Sequence, residues 1–104
     1  MTDIDLGTIM QKAQELKAQM EYLQKGLAEQ TVEGSAGAGM VKVVATGTGR
    51  IQSVRIDPAV LEEDREMVED LVTAAVNQAL DESRKLAQKT LGSMLPPGMP
   101  MPGA

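Results

Sequence analysis

Six carboxylates fall within nine residues: Glu62, Glu63, Asp64, Glu66, Glu69 and Asp70. Such a cluster could hold a divalent cation through oxygen ligands, or supply a general acid and base. It lacks EF-hand spacing, however, and has no glycine within it for the sharp turn of such a loop. The start of a helix explains it better, because carboxylates there offset the positive end of the helix dipole. The glycine-rich run Gly34-Ser35-Ala36-Gly37-Ala38-Gly39 invites a test for phosphate binding. A P-loop requires G-x-x-x-x-G-K-[ST] ahead of a helix, whereas here Met40-Val41 follow and open a strand. A dinucleotide fingerprint fails for the same reason. The groups left are cations: Lys12, Lys17 and Lys25 early in the chain, and Arg84, Lys85 and Lys89 late in it. Gathered on one face, away from the acidic cluster, they could neutralise a polyanion.

The 104 residues include no His, Cys, Trp or Phe, and Tyr22 is the one aromatic. No Ser-His-Asp or Cys-His nucleophile can be built from this inventory. Thiolate and imidazole metal sites and disulfides are likewise excluded. One Tyr leaves little scope for stacking on nucleobases. The expectation is therefore a binding protein with no catalytic residues, no metal, no cofactor and no small-molecule substrate. The formal net charge is −5. By segment, residues 1–30 carry −2, 31–57 carry +1, 58–80 carry −5 and 81–104 carry +1. On charge alone duplex DNA is not the expected partner, since the usual footprint is a basic domain. The start, Met1-Thr2-Asp3-Ile4-Asp5, is acidic and lacks the apolar core of a secretory signal. No apolar run approaches the roughly 20 residues that span a bilayer. A soluble, cytoplasmic protein without membrane contact is expected.

The elements that must position these groups follow from periodicity. Over residues 5–30 the apolar positions are Leu6, Ile9, Ala13, Leu16, Met20, Leu23 and Leu27, alternately three and four apart. That is a heptad seam on one long helix, capped by Asp3 or Asp5. Two readings fit it: a helix lying on its own sheet, or one projecting to meet a partner helix. Lys17 with Glu21 and Glu21 with Lys25 are spaced for ion pairs one turn apart. Next come a short strand at Thr31-Val32-Glu33, a flexible loop or turn over Gly34–Gly39, and a strand from Met40 to Thr46. A third strand, Arg50 to Asp57, places Val54 and Ile56 together, while Ile51 requires either the opposite face or a bulge. Pro58 ends it. A second helix from about Asp64 to Thr90 has the stripe Val68, Leu71, Val72, Ala75, Val76, Ala79 and Leu86. The result is one α+β domain over residues 1–92: helix, three-stranded antiparallel sheet, helix. The Pro/Met/Gly-rich tail 93–104 is expected to be disordered. With 23 Val, Leu and Ile in so small a chain, few of these side chains are expected to stay on the surface. Oligomerisation would be one way to bury them.

Several runs resemble the YbaB/EbfC nucleoid-associated protein family. They are Val32-Glu33-Gly34 with Gly37 and Gly39-Met40-Val41-Lys42-Val43, then Val54-Arg55-Ile56-Asp57-Pro58 with Leu61. Glu69-Asp70-Leu71-Val72 with Ala74-Ala75, Asn77 and Ala79 fits as well. So do Gln11-Lys12-Ala13-Gln14-Glu15 with Met20, and Leu95-Pro96-Pro97-Gly98-Met99. Together they cover nearly the whole chain, and it is their order and spacing that is specific. Val76 departs from the pattern, which often has an aromatic before the Asn. The resemblance implies a bacterial, tweezer-shaped homodimer that coats or bridges duplex DNA in the nucleoid and influences transcription. It carries no compact binding motif, so the six cations rest on charge and helix position, and the seam stands as the candidate dimer contact. The other reading is a dimeric adaptor that engages proteins through the seam and the Met- and Pro-containing tail.

Overall fold

Asp5 begins the first helix, its carboxylate accepting from the Gly7 N–H at 3.0 Å and the Thr8 hydroxyl at 3.1 Å. In the computed structural model, which describes residues 5–93, this helix is α1, Leu6–Glu29. Strands β1 (Thr31–Ala36), β2 (Val41–Thr46) and β3 (Ile51–Ile56) follow, then a 3₁₀ turn, Pro58–Glu62, and helix α2, Arg65–Gly92. The strands form an antiparallel meander in the order β1-β2-β3. The α+β architecture read from the sequence is the one observed. Asp3 and nearly all of the tail, from Met94 on, lie outside the described residues.

One local expectation is corrected and one open alternative is decided. The loop proposed for Gly34–Gly39 is half strand: β1 runs on through Gly34, Ser35 and Ala36, paired with Val43, Lys42 and Val41. The connection that remains is a tight turn, closed by the Met40 N–H donating to the Gly37 carbonyl at 3.1 Å. Gly37, Ala38 and Gly39 are all left-handed there, a backbone that glycine adopts without steric cost. Ile51 is resolved in favour of the bulge. Val44 faces Ser53 and Ala45 faces Ile51, so Gln52 is left without a partner and Ile51 rejoins the face of Val54 and Ile56.

α2 lies mainly over β1 and β2. The fully buried core is small and made of small residues: Val41, Val43, Ala45, Val60, Ala75 and Ala79. Val60 enters it from the 3₁₀ turn, which the periodicity did not anticipate. Gly34 permits the closeness of the layers, for a Cβ there would stand 2.3 Å from the Ala79 backbone nitrogen. Ser83 occupies the stripe of α2 as a buried polar residue, its hydroxyl donating to the Thr46 carbonyl at 2.7 Å. The outer edge of β1 is partly blocked, since the Ser35 N–H donates to Gln78 Oε1 at 2.8 Å.

Candidate nucleic-acid interface

α1 spans about 36 Å at 1.5 Å per residue, and none of its residues is buried. It is tied to the sheet at its C-terminal end, where the Gly47 N–H donates to the Leu27 carbonyl at 2.9 Å and the Gln30 carbonyl at 3.0 Å. The molecule measures 72 × 25 × 18 Å, with a radius of gyration of 19.9 Å. A compact domain of about 100 residues would have a radius near 13 Å. Of the two readings of α1, the helix lying on its own sheet is thus corrected: the helix projects. Leu23 and Leu27 are half-buried, while Leu6, Ile9, Ala13, Leu16 and Met20 are exposed. Met20, Leu23 and Leu27 form one side of an open apolar cleft whose other side is Ala87, Thr90 and Leu91 of α2.

The expectation that few large aliphatic side chains stay on the surface therefore fails for the single chain. Leu6 is 73%, Leu16 61% and Met20 59% exposed. α2 covers the apolar face of the sheet, and the opposite face carries Glu33, Ser35, Lys42, Ser53 and Arg55, a polar surface that offers an apolar seam little to pack on. That leaves the outer part of the seam, from Leu6 to Met20, without a surface to bury against among the described residues.

The six expected cations divide into two groups. Lys12, Lys17, Lys25 and Lys89 are exposed and form no ion pair among the described residues. Arg84 is paired with Asp81, and Lys85 lies 3.3 Å from Glu82, both within α2. Lys17 and Glu21, and Glu21 and Lys25, do not close to ion-pair distance. Exposed pairs of this kind gain little over solvation, and holding two long side chains in one geometry costs entropy. Three further exposed cations, Lys42, Arg50 and Arg55, lie on or beside the sheet and were not among the expected ones. The clue was present in the +1 charge of residues 31–57, the segment that contains all three.

Three members of the acidic run have local roles in α2. Asp64 caps α2, its Oδ1 accepting from the Met67 N–H at 2.9 Å, and Glu66 occupies the first turn. Glu69 lies 3.8 Å from Arg65. Among the described residues no group of three or more carboxylates is placed to hold a metal ion. None of their helices is long and apolar enough to cross a membrane.

The chain is similar in fold to the uncharacterized protein HP0035 from Helicobacter pylori, known from a crystal structure. The TM-score is 0.79 at 21% identity, over 90% of this chain and 100% of that one. At that identity the likeness concerns the fold. The model of the YbaB/EbfC DNA-binding family matches residues 1–99, from the projecting helix through α2 and beyond, so this chain belongs to that family.

Proposed function

We propose that the protein acts as a homodimer that binds duplex DNA mainly through phosphate contacts, organising the nucleoid and thereby affecting gene regulation. Membership of a DNA-binding family supports the DNA part of this reading. One observation carries the rest: among the described residues α1 has no buried side chain, yet it bears an apolar seam flanked by cations without ion-pair partners there. Pairing the seams of two copies would remove Leu6, Ile9, Leu16 and Met20 from water, the main driving force for association. Lys12 and Lys17 border the seam and Lys25 lies off it, so all three stay available after pairing. Two such arms can then present lysines to the phosphates of one duplex. Phosphate contacts position a protein without reading sequence, and no helix here clusters the Arg and Asn side chains suited to reading base edges.

The test is fluorescence anisotropy of a labelled duplex of about 30 base pairs, titrated at several salt concentrations. Neutralising about four to six phosphates gives a slope of log K against log salt of roughly −4 to −5. Scrambling the duplex should change affinity little. A slope near zero would remove the electrostatic mechanism. No binding even at low salt would overturn the DNA reading and leave the exposed seam to a protein partner.

A further inference from the structure

The sheet has two faces, and α2 covers one of them. On the other, the register aligns Ser35, Lys42 and Arg55 in one row across the three strands, with Glu33, Val44 and Ser53 in the next. Lys42 and Arg55 are thus direct cross-strand neighbours, with Cα atoms about 4.5–5.5 Å apart. Like charges placed opposite one another in a sheet are destabilising. Both side chains are exposed, and neither forms an ion pair among the described residues, although Glu33 and Asp57 lie diagonally nearby. Asp57 is engaged elsewhere, its Oδ1 accepting from the Ala59 N–H at 2.9 Å. Neighbouring cations without an ion-pair partner, on a face that no element covers among the described residues, suit an external anion.

We infer that this open sheet face is a second phosphate-contact surface for duplex DNA, with Lys42 and Arg55 each contacting a backbone phosphate and Ser35 and Ser53 able to donate beside them. The inference rests on the DNA-binding reading above but concerns a different surface from α1. A single DNA strand presents one phosphate per 3.4 Å of helix axis, so two long cationic side chains rooted this close can reach neighbouring phosphates. Binding also relieves their mutual repulsion.

The experiment compares three full-length proteins in the same salt series with the 30-base-pair duplex: the natural chain, K42Q/R55Q, and K12A/K17A/K25A. Removing two phosphate contacts should weaken binding by at least about tenfold at 0.1 M salt and make the slope shallower by about 1.8 for each protomer whose sheet touches the duplex. The thermal midpoint of K42Q/R55Q should not fall, because a repulsive pair has been removed. Unchanged affinity and slope in K42Q/R55Q, with the α1 variant impaired, would overturn the sheet surface and leave the DNA reading standing. Failure of the natural chain to bind would overturn both. A second measurement needs no substitution: amine-reactive labelling of the natural protein with and without duplex. Protection of Lys42 by DNA is expected, and an unprotected Lys42 beside protected α1 lysines would overturn the inference.

Discussion

Gly34 lies directly beneath the backbone of Ala79: a Cβ on Gly34 would stand 2.3 Å from the Ala79 nitrogen and 2.5 Å from the Ala75 carbonyl oxygen. Both obstructing atoms belong to a helix backbone, so no side-chain rotation can make room. The sheet and α2 are held at this separation because β1 presents hydrogen in place of a methyl group where they cross. The core beside it matches this spacing, with Ala75 and Ala79 on the helix against Val41, Val43 and Ala45 on the sheet.

Gly34→Ala should therefore be severely destabilising. Overpacking a well-filled core costs about 1–3 kcal/mol and occasionally more, and here the backbone itself must yield. A loss of about 3 kcal/mol in urea denaturation is expected. Gly26→Ala is the control, since a Cβ at Gly26 meets nothing within 4 Å. Within a helix it should gain up to about 1 kcal/mol.

Ser83→Ala removes the buried hydroxyl that donates to the Thr46 carbonyl. That carbonyl still accepts from the Gly49 N–H at 3.0 Å, so no orphaned acceptor is created. The expected loss is about 1 kcal/mol, the usual net value of one hydrogen bond, read by thermal or chemical denaturation.

Leu16→Asp should separate assembly from folding. Leu16 is exposed in the single chain, so its replacement leaves the subunit core untouched. Sedimentation should show a loss of dimer, while circular dichroism retains the helix and sheet signals. A dimer that persists undiminished would move the interface away from the α1 seam.

K12A/K17A/K25A should weaken duplex binding and make the salt slope shallower by about 2.7 for each arm in contact, the value for three lost phosphate contacts. Arg84→Ala and Lys85→Ala should each have a smaller effect, because those cations already lie beside Asp81 and Glu82. Unaltered affinity in the triple variant would place the contacts on α2 or the sheet.

The element order was legible in the sequence because each element announces itself locally. The three-and-four spacing from Leu6 to Leu27, the alternation through Val41 and Val43, and Asp64 ahead of a periodic stripe all act within a few residues. The family resemblance was legible for a related reason: it lies in the order of short local runs. Gly34 was misread because glycine has two meanings along a chain, a flexible link or a place where another backbone must approach. Only the position of Ala79 distinguishes them. The pairing of Lys42 with Arg55 was likewise invisible, since 13 positions separate the two and only the register brings them together.

The amino-acid sequence by itself determined the helices, the strands and the apolar seam of α1, because propensity, capping and periodicity act along neighbouring residues. The tertiary structure decided what the seam faces. Once α2 takes the apolar side of the three-stranded sheet and leaves a polar one, the outer part of α1, from Leu6 to Met20, meets no apolar surface among the described residues on which to bury those side chains. Which surface is left unsatisfied is a property of the packed whole, and no local pattern records it.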